Sequence, residues 1–252
     1  MSDSKVSIRE FWEACESGSP PTSDAAVPRT LRAAHDAILR LELDAGAELL
    51  CTASGALPAA WQHVHDLLEL RIRIARASEG DVRLARGQLT RWAESTAIDP
   101  ATLARAHHQL AVAAIRAGEM LPAEHHLLDA LDGMSGVGRL WVLDGIGQVL
   151  RGLGAFTEAR RTWSAVLSQK RQRGDVLGVA ITAGNLARLD FELHDVAAAT
   201  HLTREMLSQH ADQLPLYTTL RHRTLLLEAL LAGSADTAEI ANVQRELAAE
   251  HA

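Results

Sequence analysis

Between Arg105 and Leu207 one arrangement of turns and small residues is written three times, and it constrains the fold more than any other feature of the chain. The turn residues are Gly118, Gly154 and His194. An alanine stands five positions after each, at Ala123, Ala159 and Ala199, and another small residue twelve positions before each alanine, at Ala111, Gly147 and Ala187. Short side chains at two facing sites let antiparallel helices cross closely, and a glycine between them supplies a left-handed turn. Each unit therefore reads as a helical hairpin. The turn-to-alanine spacing recurs at Gly80 with Ala85 and at Gly233 with Ala238, so turns at 80, 118, 154, 194 and 233 lie 38, 36, 40 and 39 positions apart. A period near 38 over five units is the mark of stacked hairpins, because a single bundle has no reason to keep it. A sixth, degenerate hairpin is expected before them, with helices near Leu31–Leu43 and Ala45–Thr52.

The prolines agree with this division. Pro28, Pro58, Pro100, Pro122 and Pro215 all fall where a helix should begin, and Asp99 before Pro100 makes a cap followed by a first-turn proline. Apolar residues recur at helical spacing in Leu31–Leu43, Trp61–Ala77, Thr102–Ala117, Leu140–Leu153, Val176–Leu193 and Leu216–Ala232, and no stretch alternates with period two. The expected class is all-α. Gly133 to Gly138 follows a helix rather than a strand and lacks the GxGxxG order, so it reads as a flexible link between hairpins and not as a phosphate loop.

Residues 1–27 form a separate tail before the helical array of 28–252. Ile8, Phe11, Trp12 and Cys15 stand at i, i+3, i+4 and i+7, a short amphipathic helix, and the Gly/Ser/Pro-rich stretch Ser17 to Pro28 reads as a link. Two roles stand open for that helix. It could cap the apolar edge of the first hairpin, or act as a docking or self-inhibiting peptide.

Composition removes several function classes. The net charge of −7 argues against a general nucleic-acid binder. The arginines at 71, 73, 76, 83, 86 and 91 form a local basic cluster, but without the aromatic interleaving that base stacking uses. Lys5 and Lys170 are the only lysines, and neither has the neighbours of a P-loop or a Schiff-base site. Cys15 and Cys51 make no metal spacing and read as reduced thiols. No run of about 18 apolar residues and no signal sequence is present, so the expectation is a cytoplasmic protein that spans no membrane.

Leu143, Ile146, Gly147, Leu150, Gly154, Phe156, Ala159, Trp163 and Val166 match the small-and-large pattern of the tetratricopeptide repeat family position for position, and the chain resembles that family. Asn185-Leu186-Ala187 through Ala199 and Met206, and Leu110-Ala111 through Ala123 and Ala130, follow the same pattern. The match is specific from Arg105 to Leu207, moderate in Leu70–Thr96 and Leu220–Leu247, and poor before Trp61. In the flanking units Arg73 and Leu226 replace the small residue, which should splay those helix pairs. The long period, with Lys170 to Asp175 leading into Val179, resembles the repeat arrays of bacterial regulatory proteins. The resemblance implies a right-handed superhelix, an α-solenoid, of five to six antiparallel hairpins. It also implies a concave groove, lined by the first helix of each hairpin, that binds a protein or peptide without enzymatic chemistry.

Carried onto this chain, the groove positions are Arg105, His108 and Arg116 in one unit, Trp141, Asp144, Gln148 and Arg151 in the next, and Asn185, Arg188, Phe191 and Glu192 in the third. Four arginines with two aromatics suit an acidic segment carrying an apolar anchor, because guanidinium forks hold carboxylates and aromatics supply buried area. Against this, Asp144 and Glu192 could neutralise those arginines along a solvated face. The family's clamp for a chaperone-tail carboxylate is absent, since Asp144 and Gln148 stand where its lysine and asparagine belong. The expected function is an adaptor or regulatory sensor. The first alternative is self-assembly through the terminal hairpin Leu216–Leu247 or through the Ile8–Phe11–Trp12 helix.

Catalytic and metal readings are weaker. His63 and His65 fall on different faces of one helix, and His107-His108 and His125-His126, counted from the Gly118 turn, lie at unequal heights on two helices. No metal site, cofactor or catalytic residue is therefore expected. A second alternative, a metal phosphohydrolase of the H…HD…D type, would draw on His35, His65-Asp66 and Asp81 or Asp99. Its HD dipeptide also occurs at His35-Asp36 and His194-Asp195, which makes the match look coincidental.

Overall fold

The computed structural model describes residues 7–17, 26–55, 57–76, 79–94, 98–233 and 237–250, with the backbone alone at 79–82, 93 and 250. Most of the Ser17–Pro28 link, Lys5 and the Asp81 side chain lie outside the described residues. The described residues form an all-α fold without a strand. Its helices are α1 (Ile8–Ser17), α2 (Ala26–Leu39), α3 (Leu43–Ser54), α4 (Gln62–Arg76), α5 (Glu79–Ala93), α6 (Pro100–Arg116), α7 (Met120–Gly133), α8 (Gly136–Gly152), α9 (Phe156–Arg173), α10 (Val176–Glu192), α11 (Val196–His210), α12 (Leu216–Ala232) and α13 (Thr237–Glu250). From α2 onward they pair in sequence as hairpins. Two compact units, Met1–Gly145 and Ile146–Ala252, divide the chain inside α8.

Helix ends follow from local chemistry. The side chains of Asp99, Asp175 and Asp195 accept the backbone N–H of Thr102, Gly178 and Ala198 at 3.0, 2.9 and 3.1 Å, satisfying donors that the first turn leaves free. The prolines sit in or just before first turns, as expected. Helix exits use left-handed residues at Gly118 (φ +77°), Gly154 (φ +80°) and His194 (φ +63°). After each, the next N–H reaches back five residues, from Glu119 to Ala114, Ala155 to Leu150 and Asp195 to Asp190, at 2.8–2.9 Å.

The same turn closes the first hairpin, where the sequence match was poor. Leu41 is left-handed (φ +63°), and the Glu42 N–H donates to the Ala37 carbonyl at 2.9 Å. Five positions after Leu41 stands the buried Gly46, and twelve before that the fully buried Ala34, so the spacing of the central units is kept. A Cβ at Gly46 would lie 3.2 Å from Ile38 Cγ1, which is the close crossing the pattern predicts. The helix expected over Leu31–Leu43 therefore ends earlier, at Leu39. The outer glycines behave differently. Gly80 lies within the first turn of α5, and Gly233 ends α12 at φ −88° without a left-handed turn. Glycine spacing alone thus overstated the regularity at those two positions.

Packing follows the small residues. Ala111 with Ala123, and Ala187 with Ala199, are fully buried where α6 meets α7 and α10 meets α11. The pairs α4/α5 and α12/α13 carry Arg73 and Leu226 at the corresponding positions. Gly147 in α8 lies against the fully buried Trp163 of α9, and a Cβ there would fall 2.6 Å from Trp163 Cε2. Two residues earlier, a Cβ at Gly145 would meet only the tip of Leu127, at 2.7 Å. Alanine is the better helix former by about 1 kcal/mol. Gly145→Ala is therefore expected to be near neutral, whereas Gly147→Ala should lower stability by about 1–3 kcal/mol through overpacking. Urea denaturation of the pair checks this; coincident midpoints would remove the strain argument.

Candidate functional site

In the N-terminal unit, α1 lies on the first helices of the hairpins. Its apolar stripe is almost fully covered: Phe11, Trp12 and Cys15 are 4, 1 and 5% exposed. The Trp12 indole N–H donates to Thr102 Oγ1 on α6 at 3.1 Å, and the ring meets His35 of α2 edge-on with centroids 5.8 Å apart. Phe11 packs edge-on against Trp12 and Trp61. Contact thus runs from α2 of the first hairpin to α6 of the third. An open cleft lined by Ile8, Ala59, His63, Ile98 and Thr102 flanks the helix.

The far end of α1 is held by charge. The Glu16 carboxylate pairs with the Arg105 guanidinium, both buried, and also accepts the backbone N–H of Gly138 in the first turn of α8. A helix N-terminus offers free N–H groups and favours an anion. A Cβ at 138 would lie 2.5 Å from the Glu16 carboxyl carbon, so a larger residue there would displace that carboxylate. The expected Gly133–Gly138 link is accordingly much shorter: α7 runs to Gly133, α8 starts at Gly136, and Gly138 is a helical seat for Glu16. Burial raises the Glu16 pKa, opposed by Arg105 and the Gly138 N–H. Arg105 also stacks over Trp12, 4.7 Å from the ring centroid. Burial pushes the Cys15 thiol up to about 12, which leaves it unreactive at neutral pH.

Three of the five expected groove residues of this unit are therefore committed within the chain. Arg105 is covered by α1, Trp141 stacks on His35 at 6.4 Å, and Arg116 donates to the Ile74 carbonyl at 2.5 Å. His108 is half-buried beside Gln109, and Asp144 is buried. Sequence reasoning named the stripe with Trp12 and raised docking as one of its two roles, but did not single out Glu16. The i, i+3, i+4, i+7 stripe that marked α1 was the available signal.

In the C-terminal unit the expected residues share the first-helix side of α10 with newcomers from α12. Arg151 pairs with Glu192 at 3.2 Å, which fulfils the neutralised reading for that arginine. Arg188 pairs with Glu228 at 2.6 Å and lies 6.0 Å over the Phe191 ring. Asn185, only 3% exposed, accepts from Arg221 at 2.8 Å and leaves its Nδ2 without a hydrogen-bond partner. Burial, together with the positive charges of Arg188 and Arg151, lowers the Arg221 pKa. Gln148 is half-buried in α8. Glu228 and Arg221 escaped the sequence reading because α12 lay outside the three central units.

The other candidates resolve differently. His35 is buried between Trp12 and Trp141, and burial lowers its pKa to about 4. Nε2 of His65 lies 3.1 Å from both Ser54 Oγ and the Leu50 carbonyl, and Asp99 caps α6, so these groups of the H…HD…D set have structural partners. In the basic cluster, Arg76 pairs with Asp44 and Arg86 with Glu119. Lys170 is fully buried and donates to Thr182 Oγ1 at 3.0 Å, tying α9 to α10; its sequence neighbours carried no sign of this.

One expectation is corrected outright. His107 and His126 are not at unequal heights: their Nδ1 atoms are 3.3 Å apart, and Asp129 Oδ2 lies 3.3 Å from His107 Nδ1. Counting from Gly118 was misleading because the helices cross at Ala111 and Ala123. From that crossing His107 is four residues out along α6 and His126 three residues out along α7, so the two are level. Burial lowers the pKa of both imidazoles, and each also feels neighbouring histidine charge.

Of the helices among the described residues, none is long and apolar enough to cross a membrane. No family model and no curated protein matches the chain. Among solved structures it is similar to the crystal structure of BtubC (BKLC) from P. vanneervenii, with 18% identity over 90% of this chain and 92% of that one and a TM-score of 0.53, a likeness that speaks for the fold alone.

Proposed function

We propose that the chain is a non-enzymatic protein- or peptide-binding module of tetratricopeptide-repeat type, an adaptor or regulatory sensor whose ligands lie on the first helices of its hairpins. The observation that supports this most is α1 itself. It belongs to no hairpin, yet it is held on α2 and α6 by two aromatic anchors at one end and a buried carboxylate at the other. The chain thereby supplies a pattern of what this face accepts: an amphipathic helix carrying adjacent aromatics and a trailing acid. In the C-terminal unit Arg151 and Arg188 hold the chain's own carboxylates, Glu192 and Glu228, which is the same pairing that Arg105 makes with Glu16.

A labelled peptide with the sequence Ser7–Ser17 tests the reading by fluorescence anisotropy against full-length chains. Wild type, its face already covered, should leave the peptide free. A Trp12→Ala/Glu16→Ala chain should bind it saturably, and adding Arg105→Glu should abolish that binding. Absence of binding to the double variant, with its helix content intact, would remove the receptor reading.

A further inference from the structure

Apart from the α1 face, one cluster of donor atoms joins the two helices of a single hairpin. His107 projects from α6, and His126 and Asp129 project from α7; one ligand atom from each lies within 4.8 Å of the other two. The two separations with printed geometry, His107 Nδ1 to His126 Nδ1 and His107 Nδ1 to Asp129 Oδ2, are both 3.3 Å. Tetrahedral zinc bonds nitrogen and carboxylate oxygen at about 2.0–2.1 Å, which separates neighbouring ligand atoms by roughly 3.3–3.4 Å. The two separations from His107 already stand at the spacing of a tetrahedron's edge.

Hydrogen bonding alone accounts for the cluster poorly. His107 Nδ1 carries either a proton or a lone pair. With a proton it can serve Asp129, and His126 Nδ1 then has at most a share of the same proton. With a lone pair it can accept from His126, and it then faces the Asp129 carboxylate with no proton between them. A cation at the point of convergence satisfies all three at once. Two imidazoles and a carboxylate are the donor set of a divalent transition ion rather than of calcium or magnesium, which prefer oxygen.

We propose that His107, His126 and Asp129 bind a divalent transition-metal ion of the zinc class between α6 and α7. Three protein ligands leave a position for water or an outside ligand, and the half-buried His107 with the more exposed Asp129 places that position toward solvent. His125, largely exposed and with Nε2 3.6 Å from Asp129 Oδ2, stands beside the site and is not required by it. The site lies within one hairpin and does not rest on the peptide-binding reading.

The test is titration of the full-length chain with Zn2+ by calorimetry and with Co2+ by visible absorption, alongside His126→Gln, Asp129→Asn, His125→Ala and Glu69→Gln. The first two replace accessible ligands and leave the buried side of His107 in place; circular dichroism verifies their fold. Wild type should take up one equivalent, with the intense visible bands of tetrahedral cobalt. His126→Gln and Asp129→Asn should each weaken binding by more than the roughly 10–100-fold that outer-shell changes cost. His125→Ala and Glu69→Gln should retain it. The proposal is overturned if wild type takes up no stoichiometric ion. It is equally overturned if uptake survives both ligand substitutions, or if Glu69→Gln abolishes it, which would put the ion at His65, Asp66 and Glu69 instead.

Discussion

Trp12→Ala should release α1 from the hairpins and leave the hairpins folded. The indole is 1% exposed, donates to Thr102, meets Phe11 and His35 edge-on and lies under the Arg105 guanidinium. Truncating a buried tryptophan to alanine costs about 3–5 kcal/mol, through lost burial and the cavity left behind. Here the cost has a ceiling, because a terminal helix can leave its site instead of tolerating the cavity. The loss should therefore appear locally. Amides of residues 8–17 should exchange at least about a hundredfold faster, since each 1.4 kcal/mol is tenfold. Amides in α10 and α11 should be unaffected, and the midpoint of global unfolding should move little. A fall in protection spread over the whole N-terminal unit would instead make α1 a part of that unit's core.

The second large effect is one of pH. His35 is neutral in the folded chain with a pKa of about 4, because burial disfavours its charged form and the positive charges of Arg71 and Arg32 add to this, against the opposing Asp36. In the unfolded chain a histidine titrates near 6.5. Above that value both states hold the ring neutral and no dependence arises. As pH falls from 6.5 towards 4 the unfolded state takes up a proton that the folded state refuses, so stability is lost, by about 3 kcal/mol when the interval is complete. His222, whose pKa burial also lowers, acts in the same direction. Glu16 acts in the opposite one: its raised pKa means the folded state holds the proton more readily as pH falls. The quantity to measure is therefore the stability of wild type minus that of His35→Gln, from urea denaturation at steps between pH 7 and 4. The difference should move against wild type by about 3 kcal/mol over that range. A difference that stays flat would mean that His35 titrates as if exposed.

Class, hairpin pairing and the central turns were legible in the sequence because each rests on local chemistry. Glycine or a tolerated polar residue marks a left-handed turn, and small residues mark a crossing. Leu41 shows where such reading stops. Leucine is disfavoured at positive φ, so nothing local announced a turn there, and the surrounding Ala34 and Gly46 had to be seen in place before the spacing became visible. The candidate sites were less legible for a different reason. Arg105 and Glu16 are 89 positions apart, and their pairing depends on where α1 docks, which no periodicity encodes. The level arrangement of His107 and His126 was in principle readable, but only by measuring from the Ala111–Ala123 crossing rather than from the turn.

The short covalent connection between α1 and α2 sets terms for any competitor. Eight residues separate Ser17 from Ala26, and attachment at that length gives the docked helix an effective concentration of order mM. A free helix of equal affinity, present at ~10 μM, would then win the face in only about one molecule in a hundred. Mimicry of α1 is thus a losing strategy for a partner. A successful one must also hold ground that α1 leaves open, and the cleft beside Ile8, His63 and Ile98 offers such ground.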